Sequence, residues 1–283
     1  QGSAGCGSSH GNCGTLTPSH AMPLAAPGTI GVALRWLFKA DAPLRIKPRL
    51  DYALLRWLFA FAGRCNGKDF NVAMKAKAPL LLRSRALIAE LVRDAQLDCE
   101  FEALGTLNVY RDAANFEHSR GMLPMLAEVG IRVETLDEAA LLAREPALKP
   151  GLAGAFFNPG DAQLRPDRYV AELARVVRAK GGLIAENARV EHVRRDAERI
   201  TKVLTSQGEF RGAEVVLALG AWSPDIARQL GLRIPIQPGK GYSVTYTRPA
   251  SCPRIPLTLK EPSVCVTAWG SGYRLGSTME RSE

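Results

Sequence analysis

The run Ser8-Ser9-His10-Gly11-Asn12-Cys13-Gly14-Thr15 gathers hydroxyls, an amide and small residues whose backbone N–H groups could cradle an anion as a nest. The same composition also fits a flexible chain end. Gly5, Gly7 and Gly11 give G-x-G-x-x-x-G, one residue longer than the dinucleotide fingerprint, and lack the strand before it and the helix after it that the fingerprint requires. Gly270, Gly272 and Gly276 repeat that spacing between two strand-like runs, where a hairpin turn is the better account. The segment Val215–Ser223, VVLALGAWS, reads as an apolar strand ending in a tight turn at Gly220-Ala221-Trp222. The carboxyl end of a buried strand is where α/β sheets place their ligands. The sequence shows no Ser-His-Asp set, no Cys-His pair and no cluster at metal spacing. Six cysteines form no C-x-x-C pair and four histidines stand apart, so no metal site is expected.

The elements that must position these residues are those of a globular protein. The chain has 283 residues, 46% hydrophobic and 23% charged, enough for one large domain or two intertwined ones. Its net charge of +9 is spread from Arg35 to Arg281 without a stripe or tail, which argues against nucleic acid. A solvated basic surface fits the pattern, as does attraction to lipid headgroups or acidic substrates. The cysteine usage is that of reduced thiols in a cytoplasmic protein. The most apolar stretch, Ala53 to Ala62, contains Arg56 and is too short to span a bilayer. The Gly/Ser-rich opening at Gln1 reads as the interior of a longer protein.

Periodicity predicts helices over Thr29–Lys39, Leu50–Ala62 and Val72–Ala95, the last with a break at Pro79. It predicts a strand over Cys99–Tyr110 and helices over Ala113–Glu128 and Leu136–Arg144. Pro166 opens a helix whose apolar face is Tyr169, Val170, Leu173, Val176 and Val177. Strand-like runs follow at Leu183–Ala185, Ala188–Val193 and Ile200–Thr205, then the almost wholly apolar Val215–Leu219, read as covered on both faces. From Ile234 onward the pattern is strand: Tyr242–Tyr246, Ser263–Ala268 and Tyr273–Leu275. The expected class is α/β, α+β overall, with a parallel sheet at its centre.

Three segments resemble the flavoprotein family that includes D-amino-acid oxidase, glycine and sarcosine oxidases and bacterial D-amino-acid dehydrogenase. VVLALGAWS with Ile226–Tyr246 is similar to that family's strand and turn against the flavin, and Asp161–Gly182 to its adenine-side helix. The opening GNCGTLTPSHAMPLAAPG, with Asp41–Asp51 and Leu54–Phe61, resembles the dehydrogenase branch more than the oxidases. The sequence departs from the family in lacking its N-terminal glycine loop and ribose-binding acid, and the C-terminal stretch that supplies a carboxylate-binding arginine. Leu164-Arg165 and the closing GSTMERSE also depart from its pattern.

The resemblance implies FAD as cofactor, in a partial Rossmann-like domain of residues 1–28 and 150–233. It implies a helical segment, 29–89, packed on that domain, and an interleaved sheet-rich substrate domain of residues 90–149 and 234–283. Ser8, Ser9, Asn12, Gly14 and Thr15 would lie along the pyrophosphate and ring edge. Val190 would meet the adenine side, and Gly220, Ala221 and Trp222 the ribityl chain. Tyr242 would border the substrate pocket, Arg274 would pair with a carboxylate, and His20 is the candidate proton acceptor. The implied activity is oxidation of D-amino acids by hydride transfer to flavin. The electrons would pass to a quinone or respiratory-chain acceptor, in a protein that is cytoplasmic or peripheral on the inner face of the cytoplasmic membrane. The activity would be the longer parent's, and this piece is expected to bind FAD weakly or not at all. A glycine- or sarcosine-type oxidase and a non-catalytic basic module binding lipid or protein are the competing readings.

Overall fold

The computed structural model describes residues 2–36, 44–46, 52–196 and 199–281. In chain order, α1 (Ser8–Gly11), β1 (Thr15–Leu16) and a short 3-10 turn at Pro18–Ala21 precede α2 (Thr29–Trp36) and β2 (Leu44–Ile46). Next come α3 (Tyr52–Gly63), α4 (Gly67–Asp94), β3 (Thr106–Tyr110), α5 (Ala113–Arg120), α6 (Leu123–Glu128), β4 (Glu134–Leu136) and α7 (Glu138–Arg144). Then β5 (Gly154–Asn158) and β6 (Ala162–Gln163) lead to α8 (Pro166–Ala179) and the meander β7 (Val190–Arg195), β8 (Ile200–Thr205) and β9 (Gly208–Phe210). A 3-10 turn at Gly220–Trp222 enters α9 (Ser223–Gln229). Strands β10 (Lys240–Tyr246), β11 (Leu257–Leu259), β12 (Val264–Trp269) and β13 (Gly272–Arg281) complete the chain.

The mixed α/β class expected from the sequence is the one adopted, but the large sheet is mainly antiparallel. Its order is β10-β13-β12-β11-β3-β5-β4, with β2 beside β13, and only β11–β3 and β13–β2 among its pairs are parallel. One face of the sheet is apolar, with Leu107, Val109, Leu257 and Val266 buried together against Leu141 of α7. Strand periodicity then forces their neighbours Thr106, Asn108, Thr258, Cys265 and Thr267 to the other face. The helices start where short polar side chains catch free amides: Asn66 accepts from Asp69, Asp112 from Asn115, and Asp137 from Ala140. The apolar face of α8 packs Tyr169, Leu173 and Val176 onto Leu97, Cys99 and Leu164.

Several expectations are corrected. Val215–Leu219 is not a strand, and Val216 is 87% exposed. Apolar composition alone cannot make a strand, because the ladder needs a neighbour and no described strand pairs with these residues. Pro79 does not break α4, which runs through it while Met74 and Ala78 anchor the helix in a core with Phe70 and Leu126. The helix expected over Ala113–Glu128 divides at Gly121-Met122, where α5 ends and Leu123-Pro124 open α6. Strand structure within Cys99–Tyr110 is confined to β3, apart from a bridge between Glu102 and Gln163. Leu183–Ala185 is irregular. β5, unexpected from its sequence, lies between β3 and β4 in the large sheet. The end of the helix expected to reach Lys39 lies outside the described residues. No helix among the described residues is long and apolar enough to cross a membrane.

Candidate active site

The polar face of the large sheet carries one continuous row of small side chains. Asn108 on β3 is in register with Thr258 on β11, Thr258 with Cys265 on β12, Cys265 with Gly276 on β13, and Gly276 with Ser243 on β10. The Gly11–His20 segment covers this row. Ser243 Oγ donates to the Gly11 carbonyl at 2.7 Å, and a side chain at Gly276 would come within 2.4 Å of Cys13 Sγ. Arg274 is 2% exposed and donates from Nη1 to the Asn12 carbonyl at 2.6 Å and from Nε to Thr245 Oγ1 at 2.8 Å. Its guanidinium also lies 5.1 Å from the centre of the Trp269 ring. The arginine expected to meet a substrate carboxylate is therefore committed to holding the loop.

The loop is fixed at three further points. Asn12 Oδ1 accepts from the Gly14 N–H at 2.8 Å, and the Gly14 carbonyl accepts from Leu164 N–H at 2.9 Å. Gly14 has φ +71°, and a Cβ there would stand 2.0 Å from the Leu164 carbonyl oxygen, so glycine is required. Asp161, 1% exposed, accepts from Ser19 N–H at 3.1 Å and from the hydroxyls of Ser19 and Thr106, each at 2.6 Å. Burial raises its carboxyl pKa, and the Ser19 and Thr106 bonds offset that only in part. From below, Lys77 of α4 donates to the His20 carbonyl at 2.7 Å.

Between loop and sheet lies a cavity of about 350 Å³, walled by Cys13, Thr15, Thr17, His20, Asn108, Thr258, Lys260 and Cys265 among others. His20 is held below the usual imidazole range by loss of solvent and by the positive charges of Lys260 and Lys77, against the pull of Asp161. Its Nδ1 is 3.3 Å from Thr17 Oγ1. Loss of solvent likewise lowers the Lys260 ammonium, with Glu261 opposing. The side-chain hydrogen bond from Cys265, with the Arg274 guanidinium nearby, lowers the Cys13 thiol, while that bond and burial raise the thiol of Cys265.

Of the residues singled out in the sequence, the structure brings Asn12, Gly14, Thr15, His20 and Arg274 into one site. Ser8 and Ser9 lie on α1, which packs between α8 and β10. Tyr242 is on β10 with Lys240 Nζ 5.1 Å from its ring centre. Val190 opens β7 in a separate three-stranded sheet. The N-terminal loop reaches that region through Gly2 N–H to Asn187 Oδ1 at 2.8 Å and Ala4 N–H to Glu186 Oε1 at 3.0 Å. Gly220, Ala221 and Trp222 form an exposed turn, with Trp222 67% exposed and open space around Gly220. The sequence reading missed Lys260, Asp161, Thr17, Cys13 and Cys265. The row of small polar residues opposite the core could have signalled the last of these, since it alternates with the apolar face.

These residues fit the ring end of a flavin better than its dinucleotide end. The cavity is open, lined by hydroxyls and small side chains, and carries the Lys260 ammonium. Among the described residues, no glycine-rich turn joins a strand directly to a helix in the way that seats a pyrophosphate.

Residues 1–283 match the DAO family, described as FAD dependent oxidoreductase. The chain is 34% identical to a D-amino acid dehydrogenase of Paramagnetospirillum magneticum, over 98% of this chain and 67% of that protein. A D-amino acid dehydrogenase of Rhizorhabdus wittichii is 32% identical over 97% of this chain and 67% of its own length. The fold is similar to that of glycine oxidase from Geobacillus kaustophilus, with TM-score 0.65 and 25% identity, covering 71% of this chain and 55% of that one. Iminodiacetate oxidase from Chelativorans sp. BNC1 shares the fold at TM-score 0.62 over 98% of this chain and 63% of its own, at 22% identity.

Proposed function

This chain belongs to the DAO family of FAD dependent oxidoreductases, and we propose that it forms the substrate-facing part of a D-amino-acid dehydrogenase. It spans about two thirds of the length of the dehydrogenases it matches, so the activity belongs to the whole protein that carries it. The observation that carries the reading is the cavity between the Gly11–His20 loop and the polar sheet face, with His20 and Lys260 in its wall.

FAD, when bound, supplies the hydride acceptor that no side chain provides. Asn12, Gly14 and Thr15 would hold its ring edge, and Ser8 and Ser9 its pyrophosphate. Val190 would meet the adenine side, and Gly220, Ala221 and Trp222 the ribityl chain. Lys260 supplies the positive charge for an amino-acid carboxylate, a role Arg274 cannot take while bound to Asn12 and Thr245. His20, kept neutral near pH 7 by lost solvent and the charge of Lys260, is in the form that can take a proton from the substrate ammonium. Tyr242 would border substrate only from outside this cavity, since it alternates with Ser243 on β10 and does not line the wall.

Electrons leave, on this reading, to a quinone in a membrane. The support is α3, whose Tyr52, Leu55 and Phe59 are exposed while Leu54 is buried, with Arg56 and Arg64 on the same helix and its end. Apolar side chains beside arginines suit the surface of an anionic bilayer.

The test is anaerobic mixing of the whole protein with D-alanine, L-alanine, glycine and sarcosine, followed by addition of a short-chain quinone or oxygen. Bleaching of bound flavin by D-alanine and rapid recolouring by the quinone is the expected result. Bleaching by glycine or sarcosine with fast recolouring by oxygen would make it an amine oxidase. A folded, colourless protein that sediments with anionic vesicles would make it a binding module.

A further inference from the structure

We infer that Cys13 and Cys265 form a modification site: a dithiol in the cavity wall that a peroxide converts to an intramolecular disulfide. The inference rests on the geometry of the sheet face and not on the flavin reading. Cys13 Sγ occupies the space that a side chain at position 276 would fill, 2.4 Å from where its Cβ would be. Cys265 is the direct cross-strand neighbour of Gly276, and paired residues in antiparallel strands project on the same face. The Cys13 sulfur is therefore delivered to the side of the Cys265 thiol, which donates to it. Glycine at 276 makes the approach possible, since any larger residue would evict one of the sulfurs.

The surroundings set which sulfur reacts first. Cys13 lies beside the Arg274 guanidinium and accepts the Cys265 S–H, both of which favour its thiolate, the nucleophilic form. Both sulfurs line the cavity and are partly accessible, so a small oxidant reaches them. Cys99 makes the contrast: it is fully buried and burial pushes its thiol up to about 11, which leaves it inert.

The chemistry balances with hydrogen peroxide as oxidant. The Cys13 thiolate attacks one peroxide oxygen, the O–O bond breaks, and the departing hydroxide takes a proton and leaves as water. Cys13 is now a sulfenic acid. Cys265 loses its proton and attacks the Cys13 sulfur. The S–O bond breaks, and hydroxide leaves as water with that proton. The dithiol has lost two electrons and two protons, and the peroxide has become two waters. The new bond ties the Gly11–His20 loop covalently to β12 across the wall of the cavity.

The experiment uses the whole protein that carries this chain, folded and reduced, exposed to one equivalent of hydrogen peroxide. Remaining thiols are then blocked with N-ethylmaleimide and the peptides mapped by mass spectrometry. The expected product is a Cys13–Cys265 linked peptide, reversed by dithiothreitol and lost when the chain is unfolded in guanidinium before oxidation. Cys265→Ser should strand Cys13 as a sulfenic acid trapped by dimedone, whereas Cys13→Ser should leave Cys265 a thiol. Phenylarsine oxide, which bridges paired thiols, should bind the unoxidised chain and lose its site in either variant. Oxidation of Cys6 or Cys252 with Cys13 and Cys265 still reduced would overturn the inference. An equal yield of the linked peptide from unfolded chain would do so too. Should a variant not fold, the comparison of folded with unfolded wild type still decides the question.

Discussion

Ser19 and Asp161, 142 residues apart in the chain, are joined twice: the Ser19 amide donates to Asp161 Oδ1 at 3.1 Å and its hydroxyl to Oδ2 at 2.6 Å. Thr106 of β3 donates to the same Oδ2 at 2.6 Å. One buried carboxylate thus clamps the cavity loop to the sheet that forms its floor. Asp161→Ala would leave three donors without their acceptor. A loss of about 3 kcal/mol in unfolding free energy is expected, because stranded buried polar groups cost about 1–3 kcal/mol each and the hydroxyls can turn elsewhere. Urea denaturation reads this out directly. A loss within experimental error would show that the clamp holds nothing.

The same carboxyl gives a pH dependence of defined sign. Burial, the largest influence, raises the folded pKa of Asp161 above its unfolded value of about 3.9. The folded state therefore holds the proton more tightly. The contribution of this group is fully present below about pH 3.9 and is lost as pH rises through the raised folded value. Asp161→Asn cannot titrate, so the stability difference between wild type and variant should shift in favour of the variant as pH rises through that window. Thermal midpoints of both proteins across the window measure it, and a difference that does not change with pH would contradict the expectation.

Two glycines with left-handed backbones separate strain from steric clash. Gly14 (φ +71°) has the Leu164 carbonyl oxygen where its Cβ would go, whereas Gly220 (φ +55°) faces open space. Gly220→Ala should cost about 1 kcal/mol through backbone strain alone. Gly14→Ala should cost about 2–4 kcal/mol, since a backbone carbonyl must also move. In the whole protein, flavin content per folded molecule tests the placement of Gly220 near the ribityl chain. The bulkier Gly220→Val should lose flavin beyond its loss of stability. Full occupancy in the folded fraction would remove Gly220 from the site.

Where the sequence was readable, the signal was local. The face of α8 follows from the spacing of Tyr169, Leu173 and Val176, and the β12–β13 hairpin from glycines between two strand-like runs. The Gly11–His20 loop stood out by composition and by resemblance. Lys260 and Cys265 did not, because strand register brings them to the cavity: Thr258 lies beside Asn108 and Cys265 across from Gly276. Asp161 is likewise defined by partners at positions 19 and 106. Val215–Leu219 misled for the converse reason, since its apolar character says nothing about whether a neighbouring strand pairs with it. Pairing is a tertiary property, and a window of sequence does not contain it.

Pro79 offers a stability gain away from the site. It is exposed and lies inside α4, where it cannot donate to the carbonyl four residues earlier. Pro79→Ala restores that donor and removes the ring's clash, against some added freedom in the unfolded chain. The net expectation is a gain of about 1–2 kcal/mol, read as a higher denaturation midpoint with an unchanged slope. A loss instead would mean that a bend at Pro79 is needed for α4 to carry Lys77 to His20.

Arg274 distinguishes a residue that holds the site from one that binds substrate. Its Nη1 and Nε bonds to the Asn12 carbonyl and Thr245, and its place over Trp269, all lie within the protein. Arg274→Met removes the donors and leaves the Asn12 carbonyl and the Thr245 hydroxyl to find new partners. Hydrogen bonds from a charged donor contribute about 1.5–3 kcal/mol, so a loss of about 3 kcal/mol is expected. Arg274→Lys keeps the charge but not the fork and should recover only part of it. Cys13 should also lose reactivity toward peroxide in Arg274→Met, because a positive charge that favours its thiolate is gone. In the whole protein, Lys260→Met should raise KM for a D-amino acid with little change in melting. Arg274→Met should lower the melting point, with KM changing only as far as the loop is displaced. If Arg274→Met instead raised KM strongly while melting like wild type, the carboxylate role would return to Arg274 and leave Lys260 without one.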